Sequence, residues 1–210
     1  MTQDFVHLRM HTEFSIKDGM LNPKKVVHKA IASGMKALAI TDATAMFGDV
    51  IFYKAASAAG IKPILGADCS ITNHYNRDDY LRLLFLARNH QGYLTLCDLL
   101  SRAWLTNQYK DRGEVDLDWI TPEMADGLIV LSGFNTGAIG KAILNGSLSA
   151  AEQEARRLSQ KFPHFFMELQ RVGRPNDEML VAESVKLAKK LGLPVVATQP
   201  IQFENPEDFE

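Results

Sequence analysis

Charge of one sign is what this sequence has least of. Among 210 residues, 23 are Lys or Arg and 25 are Asp or Glu, for a net charge of -2. A domain that grips DNA by electrostatics carries a basic excess. The whole-chain balance therefore does not point to nucleic acid, although a local basic patch can sit inside a neutral total. Long apolar runs are missing too: nothing approaches the ~20 residues of a membrane span. The opening MTQDFVHLRM has no basic region followed by an apolar stretch, so no secretory signal is read there. Cysteine is scarce. Cys69 and Cys97 sit far apart and read as two reduced, buried thiols of a cytoplasmic protein, with a disulfide or a thiolate metal site as the alternatives. No low-complexity tract interrupts the chain.

Apolar residues, by contrast, make up 46% of the sequence, enough for one well-buried core. A single domain over residues 1–210 is the expected count, with two as the alternative. Three segments share one pattern of helix-like stretch, glycine and short apolar run: AIASGMKALAITD, AASAAGIKPILGAD and AKKLGLPVVATQ. Gly34, Gly60 and Gly192 fall where a helix C-terminus wants a left-handed residue. The runs that follow have the length of strands buried on both faces, so the unit reads as helix then strand in a parallel sheet. FVHLRM, LRLLFLA, GLIVLS and FFMEL add further strands, about seven in all. Helices are expected after the Asn22-Pro23 cap signal through Ser33, over Phe52 to Ala59, Gln91 to Trp104, Ser149 to Phe162 and Asp177 to Leu191. Residues 73–80 read as a polar loop and 107–118 as a charged excursion. FENPEDFE reads as the start of an acidic linker or helix. The fold class is α/β, as a small seven-stranded barrel or, in second place, a doubly wound open sheet.

In such barrels ligands meet the carboxyl ends of the strands. His11, Thr12, Glu13 and Asp18 follow the first strand, Asp42 the second and Asp68 the third. One imidazole and three carboxylates suit a divalent metal or acid–base work. The later strand ends bring Phe134, Gln170, Arg171, Val172, Pro200, Ile201 and Gln202 instead, and Phe134, Val172 and Pro200 offer no side-chain ligand. Each candidate has a plainer reading: His11 hydrogen-bonded to a neighbouring carboxylate, Asp42 capping the next helix, Asp18 before Gly19 as turn chemistry. His7, His28, His74, His90 and His164 lack an acidic or histidine partner at ligand spacing. SGFNTGAIG matches neither a P-loop nor GxGxxG and reads as a strand-to-helix turn.

FVHLRMHTEFSIKDG, GMKALAITD, FYKAASAAGIKPILGAD, LARNHQGY, GLIVLSG, FFMELQRVGRPN and GLPVVAT, in this order, resemble the PHP (polymerase and histidinol phosphatase) domain of bacterial replicative polymerases, most closely the polymerase III alpha-subunit family. The resemblance covers essentially the whole chain. It implies a distorted seven-stranded β/α barrel of the TIM-like PHP type, with residues from about 203 leading into a polymerase region.

Catalytic members of that family hold a metal cluster with His, Asp, Glu and Cys ligands. Matched position by position, this sequence keeps His11, Asp18 and Asp42, with Asp68 a shorter stand-in for a Glu. Arg9 stands at the first His of an His-x-His pair, Ala43 at the His of an Asp-His pair, and Arg82 at another His. Phe134 stands at a Cys, Val172 at a His, and Pro200 and Gln202 at a closing Asp-x-His pair. Arg9 and Arg82 put permanent positive charge where cations would sit. The implied picture is Arg9 and Arg82 paired with some of Asp18, Asp42 and Asp68, with no metal and no catalytic residue in this domain. The resemblance further implies a non-catalytic scaffold that supports the polymerase and docks a separate proofreading exonuclease subunit. Magnesium would serve only the parent polymerase, and DNA would be met only through the parent holoenzyme, with no membrane partner. A metal-dependent phosphoesterase or 3′–5′ exonuclease is the alternative, and a stand-alone phosphatase the third reading.

Overall fold

A computed structural model describes residues 5–205. Its main sheet has six strands, β1 (Ala37–Ala43), β2 (Lys62–Ile71), β3 (Leu81–Ala87), β6 (Leu128–Leu131), β7 (Phe165–Leu169) and β8 (Val195–Ala197), hydrogen-bonded in that order. The short strands β4 (Gln108–Tyr109) and β5 (Arg112–Gly113) form a separate hairpin inside the charged excursion. The helices are α1 (Pro23–Ala32), α2 (Asp49–Ala58), α3 (His90–Thr106), α4 (Pro122–Asp126), α5 (Ala138–Leu144), α6 (Leu148–Lys161) and α7 (Asp177–Leu191). The expected helices are all present, and α4 and α5 are additional. SGFNTGAIG is the turn from β6 into α5.

Local chemistry accounts for the boundaries. The Asn22 side chain accepts from the amides of Lys24 and Lys25 at 3.1 and 3.4 Å, and Pro23 occupies the first turn of α1, where its missing N–H costs nothing. Gly34, Gly60 and Gly192 follow α1, α2 and α7 with φ of 75°, 76° and 67°, the left-handed conformation that stops a helix. Both cysteines are free; Cys69 is buried and Cys97 only partly so, not buried as expected.

The sheet departs from expectation twice. β3 is not parallel: it runs antiparallel to β2 and to β6. A parallel connection needs a crossover long enough for a helix, and residues 72–80 are a short polar loop, so the chain turns straight back. The seventh strand expected over 5–10 does not form as a regular strand. Segment 7–11 instead bonds to β1, one edge of the sheet, and to Ile201 in the stretch that follows β8, the other edge strand. The amides of Ala39 and Thr41 in β1 donate to the carbonyls of His7 and Met10 at 2.9 and 3.0 Å. On the other side His11 N donates to Ile201 O at 2.9 Å, and Ile201 N to Arg9 O at 3.3 Å. One segment joining the β1 edge to the stretch after β8 means that the six strands curl into a half-barrel.

Strand alternation sorts the core. On β3, Leu83 and Phe85 face the large outer core under α3, α5, α6 and α7, while Leu84 and Leu86 face the concave side with Ala39 and Leu131. On β1, Leu38 and Ile40 pack with Met10 and Phe52 against α1 and α2. Ala67, Cys69 and Ile71 of β2 take the outer core, which leaves Asp68 on the opposite face. The acidic tail expectation lies mostly outside the described residues; Glu204 and Asn205 are described, and Glu207, Asp208 and Glu210 are not.

α3 and α4 meet through backbone. A Cβ added to Gly92 would fall 1.8 Å from the Gly127 carbonyl oxygen. Gly92→Ala therefore has to push α3 away from residue 127. The expected outcome is a loss of about 1–3 kcal/mol, read from the midpoint of urea unfolding. Gly34→Ala meets no atom and pays only the left-handed backbone, so its loss should be about 1 kcal/mol.

Candidate functional site

The strand ends converge on a buried charge cluster. Arg9, reaching in from the irregular 7–11 segment, is 5% exposed. Its Nε and Nη2 donate to Oε1 and Oε2 of Glu168 at 2.8 and 2.9 Å, a two-point fork that matches a planar guanidinium to a carboxylate. Its Nη1 donates to Asp68 Oδ2. The same oxygen accepts from Arg82 Nη1 at 3.0 Å and lies 3.1 Å from His11 Nε2. The other ring nitrogen, Nδ1, is 3.0 Å from Asp18 Oδ1. Asp18 Oδ2 in turn accepts from the Gln202 amide at 3.3 Å. Glu168 is saturated: Oε1 also accepts from the Thr198 hydroxyl at 2.5 Å and the Gln170 amide at 3.0 Å, and Oε2 from Gly133 N at 3.1 Å.

Charges follow from these contacts. Burial opposes ionisation of Asp68, but the Arg9 and Arg82 guanidiniums and His11 hold its carboxyl well below the usual range. Glu168 is likewise buried yet held low, chiefly by Arg9. Burial also works against the His11 cation, and the hydrogen bonds it donates to Asp18 and Asp68 overcome it, raising His11 to about 9. An imidazole with a carboxylate at each nitrogen has to donate twice, so it is the imidazolium. Three cations (Arg9, Arg82, His11) face three anions (Asp18, Asp68, Glu168).

The predicted residues are placed unevenly. Arg9, His11, Asp18, Asp68, Arg82 and Gln202 meet in the cluster. The plain reading of His11, hydrogen-bonded to a carboxylate, is what forms, and Asp18 is its partner rather than turn chemistry alone. The expected arginine pairing holds for Asp68 only. Asp18 is taken by His11 and Gln202. Asp42 has no arginine partner: it accepts from Thr12 N at 2.5 Å, the Thr12 hydroxyl at 2.8 Å and the Ser15 hydroxyl at 2.7 Å. By alternation Asp42 shares the face of Leu38 and Ile40, away from Asp68, which explains the separation. Nor does Asp42 cap a helix, since α2 begins after Gly48. Ala43 ends β1 without a polar group to contribute. Phe134 is buried in the outer core. Val172 is 37% exposed and its amide donates to Asp177 at 3.0 Å, outside the cluster. Pro200 lies between Thr198 and Ile201 and adds no donor or acceptor side chain.

Sequence reasoning missed Glu168. A lone carboxylate inside the apolar run FFMEL was the available signal, because a buried strand carries a charge only where a partner waits. Two of the histidines without a partner at ligand spacing in the sequence lie near a carboxylate in the fold: His74 Nε2 is 3.4 Å from Asp116, and His164 Nε2 is 3.4 Å from Asp126 without a hydrogen bond. His74, Asp116 and Asp118 are also the one group of three such donors among the described residues close enough to share an ion, and they lie outside the Arg9 cluster.

A curled, mixed six-stranded sheet packed with helices defines an α/β class of half-barrel. The chain belongs to the PHP domain family, whose profile matches residues 7–172. Over 211 residues it is 42% identical to the DNA polymerase III subunit alpha of Pseudomonas aeruginosa, covering 100% of this chain and 18% of that protein. The subunit of Neisseria meningitidis serogroup B is 46% identical over 98% of this chain and 18% of its own length, and that of Escherichia coli K12 is 41% identical with the same coverage. The chain thus spans under a fifth of the length of these relatives. Among solved structures, an amidohydrolase from Chromobacterium violaceum aligns with a TM-score of 0.65 at 14% identity, over 94% of this chain and 87% of that one. A metal-dependent phosphoesterase from Bifidobacterium adolescentis aligns at 0.57 and 12%, over 96% and 89%. These two likenesses concern the fold alone.

The family's metal cluster does not fit the residues present. The position nearest Asp68 and Glu168 is filled by the Arg9 guanidinium, which stays protonated and cannot ligate, and Arg82 covers Asp68 from the other side.

Two outcomes follow. Arg9→Met strands Asp68 and Glu168 and should cost about 3–5 kcal/mol in urea unfolding, with part regained when Glu168→Gln is added. His11, raised in the folded state, stabilises fully below its unfolded value of 6.5, and that contribution is lost as pH rises through about 9. The stability gap between the wild type and His11→Asn should therefore shrink between those two pH values, by on the order of 3 kcal/mol.

Proposed function

We propose that this chain is a non-catalytic PHP scaffold of a DNA polymerase III alpha subunit. In this reading it supports the polymerase and docks the proofreading exonuclease subunit during replication in the bacterial cytoplasm. The observation that carries the reading is the Arg9 guanidinium, which donates at once to Asp68 and Glu168 where a catalytic relative would need ligands. The cluster balances its own charge and leaves no carboxylate of Glu168 free to hold an ion. Arg9, His11, Asp18, Asp42, Ala43, Asp68, Arg82, Phe134, Val172, Pro200 and Gln202 are then positions of a vestigial metal site. Segment 7–11 serves as the seventh stave of a distorted barrel. Magnesium belongs to the parent's nucleotidyl transfer, through residues elsewhere in that polypeptide. The identity to polymerase III alpha subunits supports the replicative assignment.

The test is metal content. The protein is purified without chelator, exposed to zinc and manganese, dialysed and analysed by mass spectrometry. Near-zero stoichiometry is the expected result. Two or three retained ions per chain would overturn the reading and favour a metal-dependent phosphoesterase or 3′–5′ exonuclease, to be assayed on a primed template.

A further inference from the structure

At the sheet end marked by Lys62, Ala87 and Arg88, away from the Arg9 cluster, lies a cavity of about 840 Å³, within the range of small-molecule sites, with Leu86 and Leu131 of the concave face along one side. One part of it runs between α2 and α3, floored by Leu65 of β2. Asp49, the first residue of α2, lines this part and is 1% exposed. Both its carboxyl oxygens are buried without a hydrogen-bond partner among the described residues. An unpaired buried carboxyl is what a structure does not keep without a use or a missing partner. Burial, and then the nearby Asp42 charge, push it up to about 8, so near neutral pH it carries a proton and presents one donor and one acceptor.

Three further features share this groove. Tyr53 of α2 and Tyr93 of α3 supply aromatic surface. Lys54 and Lys62 line it without an ion-pair partner among the described residues, whereas Arg88 nearby is tied to Asp126. Among the described residues no other carboxylate lines the cavity. The groove therefore asks for a flat body, an edge that accepts and donates side by side, and an anionic end.

We propose that the groove between α2 and α3 binds an adenine nucleotide, its base edge paired with the Asp49 carboxyl and its phosphate with Lys54 and Lys62. A ring nitrogen beside an exocyclic amino group is the acceptor–donor pair a neutral carboxyl complements, as adenine presents. The tyrosines give the base stacking surface. An aliphatic acid would satisfy the lysines but leave Asp49 unpaired. An apolar amine would face Lys54 and Lys62. The nucleotide accounts for all three features together, and the site is independent of the Arg9 cluster.

Titration calorimetry with adenosine 5′-monophosphate, adenosine, inorganic phosphate and dodecanoate tests this. The monophosphate should bind saturably and at least tenfold more tightly than adenosine. The Lys54→Ala/Lys62→Ala double variant should remove that advantage and leave adenosine binding unchanged. Asp49→Leu should abolish both while keeping the wild-type circular dichroism spectrum; if that variant does not fold, Tyr93→Ala, which should weaken both ligands at least tenfold, takes its place. No saturable monophosphate binding below about 1 mM overturns the proposal. So does dodecanoate or phosphate binding as tightly as the nucleotide.

Discussion

The Arg9 guanidinium is the contact on which the rest of this structure turns. It joins β2, through Asp68, to β7, through Glu168, across the hollow of the half-barrel, and it does so from a segment that belongs to neither sheet edge. Removing charge from water is costly, and the cost is met here by geometry: every oxygen of Glu168 is hydrogen-bonded, and one oxygen of Asp68 collects three donors. The sheet's inner face thus divides along the strands. One end is apolar, with Leu84, Leu86 and Leu131; the other is ionic, and alternation on β2, β3 and β7 keeps both on the same face.

Much of this was legible in the residues, and what was not shares one cause. Helices and strands followed from spacing and from glycines that stop helices, because those signals are local. His11, Asp18 and Asp68 were recognisable because they follow short apolar runs, where strand ends fall, whereas Arg9 and Arg82 were marked only by the family resemblance. Glu168 was hidden inside such a run, and its partner stands 159 positions away. The reversal of β3 was hidden as well, since LRLLFLA has the same apolar character in either direction; only the missing helix in residues 72–80 distinguished the two. Asp42 was grouped with Asp68 because both end strands, and only the pleat separates them.

The two polar features of the fold are opposites. The Arg9 cluster is closed in charge, three cations against three anions, with only Asp68 Oδ1 and Arg82 Nε left without a hydrogen-bond partner among the described residues. Asp49 is open: a buried carboxyl with no donor in reach. Asp42 stands between these conditions, fully hydrogen-bonded by Thr12 and Ser15 yet close enough to raise Asp49. A charge-balanced cluster resists change at its members, whereas a carboxyl with neither oxygen paired waits for a partner, and the second is the better place to look for a ligand.

Segment 7–11 also bears on the order in which the protein is made. Its bonds run to β1, which follows soon after, and to Glu168 and Ile201, which come far later. At about 5–20 residues per second, the ribosome needs roughly 10–40 s between the two ends. During that interval Arg9 has Asp68 but not Glu168, and the concave face stands open. This early stretch of the domain is thus among the last to be locked, and the newborn domain spends most of its synthesis as an unclosed sheet.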